Sequence, residues 1–267
     1  MNITRQKIIS TLHESLVSNP KILAMWLEGA DATNTVDEYS DIDLCCSVKT
    51  GAIAEVMYHA QKTLENLNSL DLVETLDAGE DYRHTVFHLA GTSDYLLVDF
   101  NLFVDRGSSF IKADEIEKPL VLFDRGSVIQ YLSQEEYLAK KKNSQRIQEL
   151  RNTIAQSSRI EKYVKRGLFP EAYGYYQRWL LAPLIEILRM LYTPLHPDYH
   201  IVHISRHLPD DILMRLEELF KINSVTEIEA KSKEALLFFN ETLAELNTNS
   251  QKGKESGVDP MDAILRG

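Results

Sequence analysis

From Asp41 to Val48 the residues alternate strictly, with Ile42, Leu44, Cys46 and Val48 on one side and Asp41, Asp43, Cys45 and Ser47 on the other. On a β-strand this spacing aims Asp41 and Asp43 the same way, with Cβ atoms ~7 Å apart after two steps of ~3.3 Å. Carboxylates at that separation share hard cations. Mg²⁺ takes oxygen ligands and keeps waters and substrate phosphates at its remaining positions. A third carboxylate, Asp99, falls in the middle of the run from Tyr95 to Phe103, where Leu96, Val98, Phe100 and Leu102 share one face and Leu97, Asp99 and Asn101 the other. A lone carboxylate buried there would be costly or would have to protonate, so Asp99 needs a partner. Beside Asp41 and Asp43 it completes the carboxylate set of a two-metal site.

The elements that must hold these residues can be read around them. An amphipathic helix opens the chain, with Ile8, Ile9, Leu12 and Leu16 on one face and a stop at Asn19 and Pro20. The run from Ile22 to Leu27 suits a buried strand, and Gly29 follows it directly. A glycine there lets phosphate oxygens approach backbone N–H groups more closely than a residue with a Cβ allows. Ala30 to Ser40 reads as a polar loop, the Asp41 strand follows, and Ile53, Val56, Met57, Ala60 and Leu64 repeat at helical spacing. The runs from Tyr82 to Leu89 and from Tyr95 to Phe103 are joined by Gly91, Thr92, Ser93 and Asp94, as a hairpin would be.

Leu27, Glu28, Gly29 and Ala30, then a polar loop, then Tyr39, Ser40, Asp41, Ile42, Asp43 and Leu44 resemble the signature of the nucleotidyltransferase superfamily related to DNA polymerase β. That signature has an apolar strand, Gly-Ser or Gly-Gly, a loop, and Ser-Asp-x-Asp. The arrangement looks most like the aminoglycoside and lincosamide nucleotidyltransferases. The resemblance implies an α+β fold, with a nucleotidyltransferase-type mixed sheet and flanking helices followed by a helical bundle; the pattern along the chain sets the first at residues 1–132 and the second at 133–247, and leaves a flexible tail at 248–267. It implies Mg²⁺ held by Asp41 and Asp43 on the triphosphate of ATP or another nucleotide, with Asp99 as third ligand or general base. It places Gly29, Ala30 and Ser40 at the nucleotide and a small hydroxylated molecule of the aminoglycoside kind as acceptor of the nucleoside monophosphate. The sequence departs from the pattern at Ala30, which lacks the usual hydroxyl, and at Asp31, where relatives carry a basic or neutral residue; both weaken triphosphate binding. A protein that keeps the fold and binds nucleotide or a partner without turnover is therefore an alternative, as is nucleotidylation of a protein hydroxyl.

Beyond Ser133 the pattern turns helical: Ile147, Leu150 and Ile154 mark one helix, and Tyr173 to Leu191 a second that is apolar around much of its circumference, with Pro183 expected to kink or break it. Further helices are expected over Ile212–Ile222 and Glu227–Leu246, before a polar end. Between Lys140 and Arg166 nine basic residues face two acids; Lys140 and Arg146 are the candidates for neutralising triphosphate charge, and the rest read as a solvated face. His200, His203 and His207 have the spacing of one helix face and would suit zinc, but nearby prolines and the lack of accompanying cysteines favour a packed or loop role. His84 and His88 share a strand face with a similar ambiguity, and Tyr173, Tyr175, Tyr176 and Trp179 read as core.

The 267 residues carry 29 Lys and Arg against 40 Asp and Glu, a net charge of −11, which argues against a surface devoted to nucleic acid or anionic lipid. Adjacent Cys45 and Cys46 cannot form a disulfide framework, the N-terminus lacks a signal-peptide core, and no apolar run reaches ~20 residues. A cytoplasmic enzyme without membrane attachment is expected.

Overall fold

The computed structural model describes residues 3–107, 109–112, 118–125, 127–132 and 143–256. The chain divides into two compact units, Met1–Gln134 and Glu135–Gly267. The fold is α+β.

The first unit is built on a six-stranded mixed sheet of β1 (Ile22–Leu27), β2 (Ile42–Val48), β3 (Leu70–Ala78), β4 (Tyr82–Leu89), β5 (Val98–Val104) and β7 (Leu120–Asp124). Across the sheet they run in the order β3-β4-β5-β2-β1-β7. β2 and β5 run parallel, and the other neighbours are antiparallel. A separate parallel pair joins β6 (Ser109–Lys112) to β8 (Ile129–Leu132). The helices α1 (Arg5–Leu16) and α3 (Ile53–Leu67) cover one face, where Ile8, Leu12 and Leu16 meet Ile42, Leu44, Cys46, Phe100 and Leu102 in a closed core. Period-two alternation puts the remaining side chains of β2 and β5 on the opposite face. There the later part of the strands is also covered, with Cys45 packed among Ala24, Trp26, Val128 and Ile129, while Asp43, at the start of β2, is only half-buried.

Some elements differ from the sequence expectation. The stretch after β1 is not loop throughout: Gly29–Thr33 forms a short helix, α2, ended by Asn34 in the left-handed region. β3 and β7 are strands without a strong pattern of their own; β3 is an exposed edge held by its pairing with β4.

Among its described residues the second unit is helical: α4 (Asn143–Ile154), α5 (Ser158–Lys165), α6 (Phe169–Tyr176), α7 (Ala182–Tyr192), α8 (Ile204–His207), α9 (Asp210–Phe220) and α10 (Val225–Ser256). Pro183 does not break the central helix. A π-helical turn, Gln177–Leu181, links α6 to α7 just before it, and widening the ladder there accommodates the missing N–H without a break. The helix α10 runs on past Leu246 to Ser256; residues 257–267, the end of the expected tail, lie outside the described residues. Tyr173, Tyr175, Tyr176 and Trp179 belong to this core: Tyr176 is fully buried and donates to the Leu219 carbonyl at 2.9 Å, and Trp179 stacks on Tyr175. No helix among the described residues is long and apolar enough to cross a membrane.

Candidate metal centre

The parallel register of β2 and β5 sets Asp43 directly beside Asp99, and Asp41 precedes Asp43 by two positions. The three half-buried side chains each bring a carboxylate oxygen to within 4.8 Å of the other two, close enough for all three to bind one cation. Oxygen-only donors of this kind suit Mg²⁺ or Mn²⁺ and not a thiophilic metal.

Gly29 sits against this cluster. Its φ is +59°, a conformation unfavourable for residues with a Cβ, and a Cβ there would collide with Oδ2 of Asp43 and lie 3.1 Å from its Cγ. The Glu28 N–H donates to the Asp43 carbonyl at 3.0 Å, so the turn out of β1 is fastened to the start of β2. Glycine is thus required here by the closeness of the carboxylate as well as by the backbone. Ala30 follows within the first turn of α2. Ser40 helps fold the loop: its Oγ donates to Asp37 Oδ1 at 2.8 Å and accepts from the Asp37 N–H.

Arg5, which the sequence pattern gave no reason to single out, reaches this region from α1. Its guanidinium bonds Asp31 through two nitrogens and donates to the Ser40 carbonyl at 2.9 Å. Asp31 is therefore neutralised within the fold, and one side chain ties α2 to the residue before Asp41.

His84 on β4 hydrogen-bonds Oδ1 of Asp99 through Nε2. One position up the same face the Tyr82 hydroxyl donates to Asn101 Oδ1 at 2.6 Å; burial, then the nearby Asp77 and Asp99 carboxylates, hold its pKa above the usual phenol value, so it stays a donor. Trp26 Nε1 donates to Glu28 Oε1 at 2.8 Å. Burial, then Glu28 and Cys46, push the Cys45 thiol well up, which keeps it protonated and unreactive. His88 has a separate role: Nδ1 lies 2.5 Å from Asp71 Oδ1 and Nε2 2.9 Å from the Ser93 carbonyl, bracing the β4–β5 turn.

Lys140 lies outside the described residues. Arg146 belongs to α4 in the second unit, where its guanidinium binds Glu186 at 2.5 and 2.7 Å and Glu149 at 2.8 Å. The histidines beyond residue 195 do not line one helix: His200 and His203 have φ of +47° and +52°, and only His207 of the three lies within α8. His207 Nδ1 instead meets the buried Arg189 guanidinium at 2.8 Å, and Arg189 also donates to the carbonyls of His200 and Val202.

No family model and no curated protein matches the sequence. Among solved structures, the chain is similar to an aminoglycoside 6-adenyltransferase from Bacillus subtilis, at 12% identity and a TM-score of 0.35 over 99% of this chain and 97% of that one. It is similar to a spectinomycin adenyltransferase from Enterococcus faecialis, solved with ATP and spectinomycin, at 9% identity and a TM-score of 0.35 over 91% of this chain and 100% of that one. A nucleotidyltransferase-like protein from Exiguobacterium sibiricum aligns at 12% identity and a TM-score of 0.34 over 94% and 78%.

Proposed function

We propose that this protein is a metal-dependent nucleotidyltransferase that moves a nucleoside monophosphate, AMP from ATP, to a hydroxyl of a small molecule. The observation that carries the reading is the convergence of Asp41, Asp43 and Asp99 against Gly29, which joins the sequence signature to a distant third carboxylate. The three aspartates would hold Mg²⁺, which supplies charge neutralisation for the triphosphate. Gly29, lacking a Cβ, keeps the backbone beside the cluster open to a phosphate group. In the reaction the acceptor oxygen bonds to the α-phosphorus as the bond to pyrophosphate breaks, and the hydroxyl proton leaves to a base; Asp99 either takes that proton or completes the ligand set. The acidic surroundings favour a cationic acceptor of the aminoglycoside type. The free, buried thiols of Cys45 and Cys46 suit a reducing cytoplasm.

The absence of a hydroxyl at Ala30 favours one second reading, a nucleotide-binding protein without turnover. The purified chain, given labelled ATP, Mg²⁺ and a panel of hydroxylated acceptors, is expected to release pyrophosphate with at least one of them and to lose that release in Asp41→Asn and Asp43→Asn. No pyrophosphate with any acceptor, together with intact nucleotide binding in Asp41→Asn, would establish the second reading instead.

A further inference from the structure

We infer that His84 is a positioning residue for the metal centre: its Nε2–H orients the Asp99 carboxylate so that the oxygen it leaves, Oδ2, is presented to the cation. The inference rests on the reading of Asp41, Asp43 and Asp99 as metal ligands. In strand register His84 faces Asn101, and it is Val86 that faces Asp99, so the bond from His84 to Asp99 Oδ1 is diagonal. Tyr82 repeats the same offset, facing Phe103 and bonding Asn101. Two successive outward side chains of β4 thus reach the β5 residue nearer the start of that strand, the end where Asp99 meets Asp43.

The direction of the bond follows from chemistry. An ionised carboxylate only accepts, so the imidazole donates through Nε2. A carboxylate with one oxygen so occupied has lost most of its rotational freedom and offers one remaining oxygen in a fixed direction. Partners of this kind set ligand orientation at metal sites, and removing one typically weakens metal binding about 10- to 100-fold. Asp43 is placed by β2 and Asp41 lies immediately before that strand, whereas Asp99 comes from a different strand, and its carboxylate is the ligand His84 fixes.

The test is Mn²⁺ binding to the full chain, followed by the electron paramagnetic resonance signal of free Mn²⁺, with thermal melting recorded for each variant. His84→Phe keeps a ring and removes the donor; His84→Gln removes the ring and keeps a donor at an equivalent reach; His84→Ala replaces the ring variant if that one does not fold. The expected result is Mn²⁺ affinity lowered about 10-fold in His84→Phe at an unchanged melting temperature, with most of it recovered in His84→Gln. Wild-type affinity in His84→Phe while Asp99→Asn loses Mn²⁺ overturns the role of His84 and leaves the metal site standing. Equal losses in the Phe and Gln variants also overturn it, because the donor would then not be what matters. Failure of the wild-type chain to bind Mn²⁺, or wild-type affinity in Asp41→Asn, Asp43→Asn and Asp99→Asn alike, overturns the metal site itself and the inference with it.

Discussion

Asp41→Asn is expected to make the protein more stable in the absence of metal and blind to metal in its presence. The three aspartates bring oxygens within 4.8 Å of one another, and at that distance two unit charges repel by about 0.9 kcal/mol even at the dielectric of water. Asp41 takes part in two such pairs, so neutralising it relieves about 1–2 kcal/mol, the lower figure once salt screening and the half-exposed setting are allowed for. In a chain of this size each kcal/mol raises the melting temperature by about 2–4 °C. Divalent cation should do the opposite to the two proteins. At a hundred times its dissociation constant Mg²⁺ stabilises the wild type by about 2.7 kcal/mol, and it should leave Asp41→Asn unmoved. Calorimetry with EDTA and with saturating Mg²⁺ measures all four states, and raising KCl should shrink the metal-free difference. If Asp41→Asn is less stable than wild type in EDTA, the carboxylate is a structural partner and not a member of a repelling set. If Mg²⁺ raises both proteins equally, the cation binds elsewhere.

Arg5→Ala should cost about 2 kcal/mol in urea denaturation, because it leaves the largely buried Asp31 carboxylate and the Ser40 carbonyl without their donor; a double-mutant cycle with Asp31→Asn that shows no coupling would contradict the bridging role. His207 should make the second unit sensitive to acid. Burial first, then the Arg189 guanidinium, hold its pKa below the usual histidine value, so its contribution is present above the unfolded pKa of about 6.5 and is lost as pH falls below it. His207→Asn keeps an acceptor near Arg189 but cannot take a proton, so its stability relative to wild type should rise between pH 7.5 and pH 5; a difference that stays constant across this range would exclude the imidazole as the titrating group.

The residues that do the proposed chemistry were legible because their signal is local. Strict alternation fixes the side of β2 that carries Asp43 and, one residue before the strand, that of Asp41, and the single charge in an apolar run fixes Asp99 on the outward side of β5; both follow from the two-residue period of a strand. What escaped is what depends on pairing between distant segments. Arg5 and Asp31 are 26 positions apart, and no periodicity links an opening helix to a turn after β1. The bond from His84 to Asp99 needs the antiparallel register of β4 on β5 and a diagonal reach, which the spacing within either strand does not specify. β3 was missed because an edge strand with an exposed outer row need not alternate. The histidine spacing has helical period, but the nearby prolines already favour a loop or packed role, and that is what forms: His200 and His203 take positive φ and the segment never becomes one helix.

Burial along β2 and β5 accounts for where charge can stand on the outward face. Farther along the strands that face is closed, with Cys45 and Ser47 buried and Phe103 stacked on Trp26 at 6.1 Å. A carboxylate at position 45 would lose its hydration among Ala24, Val128 and Ile129, at a cost of several kcal/mol. At the strand starts the same face is only half-covered, so carboxylates there keep contact with water and together form a concentration of negative charge suited to a cation. Asp31, ten positions before Asp41, differs because Arg5 already supplies its positive charge. Replacing Arg5 should therefore do more than loosen α2: it adds an uncompensated negative charge beside the cluster. Mn²⁺ should then bind the Arg5→Ala protein at least as tightly as wild type wherever the fold survives, a result opposite in sign to the loss expected from His84→Phe.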